Sequence, residues 1–148
     1  MRVAVNGTHV YFDVEGAGLV PDGPMMRERP SLVLLHGGPG FDHSLFKPAY
    51  GQLADIAQVV YLDHRGNGRS DRGEPGDWTL DVWADDVRDF CDALGIEHPF
   101  VLGWSFGGFV AMHYAARHPD HPAKLILRST MARWDTDRAV TGFTAVSS

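Results

Sequence analysis

Apolar and polar residues alternate at the start of the chain. Arg2-Val3-Ala4-Val5 and His9-Val10-Tyr11-Phe12-Asp13-Val14 flank Asn6-Gly7. A two-residue Asn-Gly link between alternating segments predicts a β-hairpin. Residues 15–30 mix glycine, proline and charge without a period and read as a surface loop. From Ser31 the pattern changes. Short apolar runs at Leu32–Leu35, Gln58–Leu62, Pro99–Leu102 and Lys124–Leu127 read as strands, most of them covered on both faces. A helix is predicted around 44–56, and another where Leu80, Trp83, Val87, Phe90, Cys91 and Leu94 keep a helical period. Asp81, Asp85, Asp86, Asp89 and Asp92 fall on the other side of that helix, and Gly95 ends it. Residues 106–117 form a third, mostly buried helix. The order is a hairpin followed by β-α-β-α-β-α-β. It predicts an α/β fold with a mostly parallel sheet and helices on both faces.

Chemistry concentrates at the ends of three of these strands. Ser105 sits in Gly103-Trp104-Ser105-Phe106-Gly107-Gly108, with a strand running in and a helix running out. That is the context of a G-x-S-x-G nucleophile elbow, where a tight turn exposes the hydroxyl. A serine alcohol is a poor nucleophile alone and needs a base and a stabiliser for the oxyanion it creates. The Phe106 amide, at the N-terminus of the following helix, points toward such a charge. His36-Gly37-Gly38-Pro39-Gly40 follows the Leu32–Leu35 strand and is the place for a second oxyanion donor. Gly38 is the preferred donor, with Gly37 as the alternative, and His36 shapes the loop. Asp63-His64-Arg65-Gly66-Asn67-Gly68-Arg69-Ser70 reads as a supporting loop that Asp63 and Arg65 tie down by hydrogen bonds.

Composition narrows the function classes. A chain of 148 residues suits one domain with a sizeable core. The net charge of −6, with no Lys/Arg cluster, argues against a nucleic-acid partner. No apolar stretch approaches the ~20 residues that span a bilayer. The N-terminus lacks the apolar core of a signal peptide, and Cys91 is the only cysteine, so a cytoplasmic location is expected. No metal-ligand spacing appears, and the glycines at 36–40 match no phosphate-binding pattern, so neither a cofactor nor a metal is expected.

The ordered triplet of His-Gly-Gly-Pro-Gly, Asp-x-Arg-Gly-x-Gly-x-Ser and Gly-x-Ser-x-Gly-Gly resembles the α/β-hydrolase superfamily, specifically its prolyl iminopeptidase-like branch. The likeness runs from the opening hairpin to the strand at 124–127. It implies an α/β-hydrolase fold, a serine hydrolase activity, Ser105 as nucleophile, and Gly38 and Phe106 as oxyanion donors. Typical iminopeptidases carry tryptophan directly after the nucleophile, whereas here Trp104 precedes Ser105 and Phe106 follows it. That departure widens the implied activity to esters and amides beyond N-terminal peptide residues.

The resemblance also implies a triad acid and a histidine later in the chain order. On this reading the chain is truncated after about the sixth strand and carries no triad acid or base. Residues 1–130 would be the N-terminal part of the hydrolase core, and 131–148 the start of a cap region or a tail. The local substitutes are poor. Asp135 and Asp137 are the nearest carboxylates after the last strand. His113, His118 and His121 read as surface histidines pointing away from the elbow, and His43 as a lining residue. The strand at 124–127 would be an exposed apolar edge, calling for a complementing C-terminal segment. Two readings stay open. One is a serine hydrolase acting on a small molecule or short peptide, incomplete as the chain stands; the other is an inactive fragment that binds a small molecule or a partner.

Overall fold

A computed structural model of the protein describes residues 1–132. Strands β1 (Arg2–Val5) and β2 (Thr8–Glu15) form the opening hairpin, with Val5 opposite Thr8. Asn6 and Gly7 both have positive φ, 41° and 74°, as the mirror-image turn of a two-residue hairpin requires. A second, separate hairpin follows, β3 (Leu19–Asp22) and β4 (Met25–Glu28). Then come β5 (Ser31–Leu35), β6 (Gln58–Leu62), helix α1 (Leu80–Leu94), β7 (Phe100–Trp104), helix α2 (Phe106–Arg117) and β8 (Lys124–Arg128). The main sheet runs β1-β2-β6-β5-β7-β8. Its last four strands are parallel, and β2 joins β6 antiparallel.

The apolar runs serve two cores because successive strand residues point to opposite faces. Val33, Leu35, Val60, Leu62 and Val101 meet α1 and α2 through Val87, Phe90, Val110, Ala111 and Tyr114. Leu32, Leu34, Val59, Tyr61 and Leu102 pack on the other face with Phe46 and Ala57. Helix α1 starts where the Thr79 hydroxyl accepts the Val82 N–H, and it stops at Gly95 in the left-handed conformation.

Two local predictions change. The helix expected around 44–56 is instead a pair of short 3-10 helices, His43–Phe46 and Ala49–Asp55. Pro48 separates them, since proline lacks the N–H that a continuous helix would use. The segment 15–30, read as a loop, contains the β3–β4 hairpin. Its residues are almost all exposed, so no buried face imposes an alternating pattern.

The carboxyl ends of the parallel strands β5, β6 and β7 lie side by side. Residues 36–40, 63–70 and Ser105 therefore gather at one edge of the sheet, where open α/β sheets place their ligands.

Candidate active site

Ser105 occupies the single residue between β7 and α2, at φ 53° and ψ −115°. Non-glycine residues rarely adopt such a conformation, and it persists only when the surroundings hold it. Here they do. The Ser105 N–H donates to the Arg128 carbonyl at 2.9 Å, and the Gly108 N–H donates to the Ser105 carbonyl at 2.9 Å. Space does the rest. A Cβ at Gly103 would lie 2.4 Å from the Gly107 oxygen, and one at Gly107 would lie 2.0 Å from the Leu35 oxygen. A Cβ at Gly108 would meet the Thr130 side chain at 2.5 Å. The start of α2 is thus pressed against the ends of β5 and β8. The first N–H groups of any helix have no intrahelical acceptor, so the Phe106 amide is available at the positive end of the α2 dipole.

The glycine loop after β5 lies against this turn. A Cβ on Gly37 would sit 3.4 Å from Ser105 Cβ and 4.0 Å from Leu45 Cδ1. Gly38 adopts φ 130°, which side chains with a Cβ rarely reach. His36 is fully buried, with Nδ1 2.6 Å from the Gly37 oxygen, and burial lowers its pKa. Phe41 and Leu45 leave apolar surface exposed beside the loop.

Residues 63–70 brace both. Buried Asp63 accepts from the His43 N–H at 2.8 Å, the His43 ring at 2.8 Å and the Arg69 N–H at 2.9 Å. Arg65 donates to both carboxylate oxygens of Asp86 on α1, at 2.8 and 2.7 Å, and to the Asn6 carbonyl at 2.8 Å. This pair is almost fully buried, and hydrogen bonding to Asp86 raises the Arg65 pKa further. Asn67 links brace and glycine loop. Its Nδ2 donates to the Arg65 carbonyl at 2.9 Å, and its Oδ1 accepts the Gly40 N–H at 2.6 Å. His64 is buried against His36, ring centroids 4.4 Å apart, and desolvation lowers its pKa well below the usual histidine range.

Three inward-facing side chains escape the sequence pattern. Asp86 lies among the aspartates expected on the outer face of α1 but turns inward to Arg65. Asn67 and His43 become structural only through partners distant along the chain. The histidines after Ser105 also sort differently. His113 pairs with Asp81 at 3.1 Å and His118 with Asp85 at 2.9 Å. His121, expected at the surface, is buried and hydrogen-bonded to the Tyr114 hydroxyl. At ~1.5 Å per residue, His113 stands ~12 Å along α2 from the elbow. Among the described residues, no histidine or carboxylate hydrogen-bonds the Ser105 hydroxyl. Asp135 and Asp137 fall outside the described residues.

Other chemistries find less support. Burial pushes the Cys91 thiol up to about 12, far from the reactive thiolate range. Among the described residues, no three His, Cys, Asp or Glu side chains gather to hold a metal ion. No described helix is long and apolar enough to cross a membrane. A cleft of about 550 Å3 lies at the opposite end of the sheet, between the C-terminal ends of α1 and α2, and does not include Ser105.

Residues 30–143 match the family model described as alpha/beta hydrolase fold. The chain belongs to that family. Among the curated relatives of this chain is a putative carbamate hydrolase, RutD, of Caulobacter vibrioides, 38% identical over 104 residues. That match covers 70% of this chain and 39% of the relative. The proline iminopeptidase of Lactobacillus delbrueckii subsp. bulgaricus is 35% identical over 112 residues, covering 71% of this chain and 37% of its own. Among solved structures, a thermophilic esterase from Thermogutta terrifontis superposes with a TM-score of 0.79 at 31% identity. It covers 99% of this chain and 52% of the esterase. The proline iminopeptidase-related protein from Thermus thermophilus gives 0.76 at 30% identity, covering 88% and 44%. The chain therefore spans about two fifths of its curated relatives and about half of the solved ones.

Proposed function

We propose that this hydrolase carries the nucleophile and the oxyanion donors of a serine hydrolase that transfers an acyl group from an ester or amide. The observation that carries this reading is the conformation of Ser105, a left-handed residue between strand and helix, packed against Gly37. Ser105 Oγ attacks the substrate carbonyl and loses its proton to a histidine outside this chain. The Gly38 and Phe106 N–H groups hold the oxyanion, with the Gly37 N–H as the alternative donor. Collapse expels the alcohol or amine, which takes that proton, and water then hydrolyses the acyl-serine by the same route. The substrate is a small molecule or short peptide. The esterase, iminopeptidase and carbamate hydrolase names among its relatives support that range.

In this reading residues 1–130 form the N-terminal part of the catalytic core, and 131–148 begin a cap region or tail. The exposed apolar side chains of Ile126 and Leu127 on β8 support a complementing segment against that strand. The sole cysteine, buried and unpaired, supports a cytoplasmic location. A second reading, an inactive or merely binding fragment, is favoured by one observation: no described side chain is placed to activate Ser105.

Fluorophosphonate labelling separates the two. The 148-residue chain alone is expected to label weakly. Expression together with its downstream coding sequence is expected to restore labelling that Ser105→Ala abolishes. Strong Ser105-dependent labelling of the short chain would overturn the claim that its base lies elsewhere. Absence of labelling from the extended product would overturn Ser105 as nucleophile.

A further inference from the structure

His36 touches two groups whose chemistry leaves its ring no choice. The Gly37 carbonyl, 2.6 Å from Nδ1, can only accept, so Nδ1 carries the proton. The His64 backbone N–H, 3.1 Å from Nε2, can only donate, so Nε2 is bare. His64 returns the contact, its Nε2 lying 3.3 Å from the His36 carbonyl. The ends of β5 and β6 are thereby clasped through one neutral tautomer of His36, with both histidine rings buried.

The consequence lies one peptide further on. In a planar trans peptide, the C=O and the next N–H point in opposite directions. Holding the Gly37 oxygen therefore aims the Gly38 N–H the other way. The unit between two glycines would otherwise rotate at little cost, because neither residue restricts it sterically. We propose that His36 is the positioning residue of the oxyanion loop: its Nδ1–H holds the Gly37 carbonyl, and the His64 N–H holds the ring in the tautomer that can do so. This rests on the assignment of Gly38 as an oxyanion donor, but its test does not require catalysis.

Protonation would break the clasp from one side. A proton on Nε2 would face the His64 N–H, donor against donor. The groups around the ring oppose one another: burial disfavours a charged His36 most, the hydrogen bond to Gly37 and the Asp63 and Asp42 carboxylates favour it, and His43 disfavours it. The neighbouring His64 is itself held neutral by burial.

Ring 15N spectra of the histidine-labelled 148-residue protein read the tautomer directly. The expected result is that the ring signals of His36, assigned by their disappearance in His36→Asn, show a protonated Nδ1 and a bare Nε2 at neutral pH. An Nε2–H tautomer, or a charged His36 at pH 7, overturns the proposal. Two variants then divide the ring. His36→Asn keeps a donor at the Nδ1 position, while His36→Gln keeps only a polar atom at the Nε2 position. The Gly37 carbonyl-carbon and Gly38 amide signals should stay near their original values in His36→Asn and move in His36→Gln. Equal behaviour of two folded variants overturns it as well, and the wild-type tautomer decides if neither folds. Failed fluorophosphonate labelling would remove the function assigned to the loop and leave these signals unchanged.

Discussion

Between Gly103 and Gly108 the chain is held by what cannot fit, whereas between Asp63 and Ser70 it is held by what is paired. In the first segment, glycines bring backbone or side-chain atoms within 2.0–2.5 Å of where a Cβ would stand, and few polar contacts are involved. In the second, two buried acidic groups, Asp63 and Asp86, collect donors from the hairpin, from the 3-10 helix at 43–46 and from the brace itself. Excluded volume is indifferent to protons. Buried pairing is not, because removing one partner leaves the other charged or polar group dehydrated and alone. The Ser105 turn and its brace should therefore fail under different insults.

The largest effect is expected from breaking the buried ion pair. Asp86→Ala takes the bidentate partner from the buried Arg65 guanidinium and leaves only the half-exposed Asp77 carboxylate, 3.6 Å away, so urea unfolding should show a loss of roughly 3–5 kcal/mol. Adding Arg65→Met to Asp86→Leu should recover most of it, since a matched apolar pair is often neutral. A loss for Asp86→Ala below about 1 kcal/mol, the range of exposed pairs, would mean that the brace does not depend on this contact.

Next comes the turn. Gly107→Ala forces a methyl group onto the Leu35 carbonyl and should cost roughly 1–3 kcal/mol, the range of overpacked cores. Its difference from the wild type should stay constant between pH 8 and pH 5.5. A pH-dependent difference would show that the turn leans on the histidine clasp beside it.

The smallest effect is the response of the brace to acid. Burial lowers the pKa of His36 and His64 below the ordinary histidine value of about 6.5. The unfolded chain thus takes up protons that the folded chain refuses. Their contribution to stability is complete above about pH 6.5 and falls away as the pH drops below it. His121, also lowered by burial, acts in the same window and can be followed through its own ring signals. Asp13 and Glu15, held below the usual carboxylate range mainly by hydrogen bonds from Lys47 and Tyr61 respectively, respond only in more acid solution. A urea midpoint that stays flat from pH 7 to pH 5.5 would contradict the neutral clasp.

Much of this architecture was readable before any coordinates. The hairpin at Asn6-Gly7, the parallel strands and the end of α1 at Gly95 follow from turn chemistry and periodicity, which act within a few residues. Two elements were lost for equally local reasons. The β3–β4 hairpin has almost no buried face, so only its Gly23-Pro24 turn could have announced it. The 43–56 segment kept an apolar pattern that Pro48 divides into two short turns.

The sequence by itself determined the order of elements and brought three glycine-bearing motifs to the carboxyl ends of three strands. Strand period and turn geometry are set by neighbours in the chain. Only the tertiary structure decided which partner each inward polar side chain meets. Asp86 stands three residues after Trp83 and four before Phe90, on the inner side of α1, yet it meets Arg65 from 21 positions away and Asn6 from 80, and no local spacing names either. Its direction is fixed because a buried guanidinium must be matched by a carboxylate, and folding alone brings the two together.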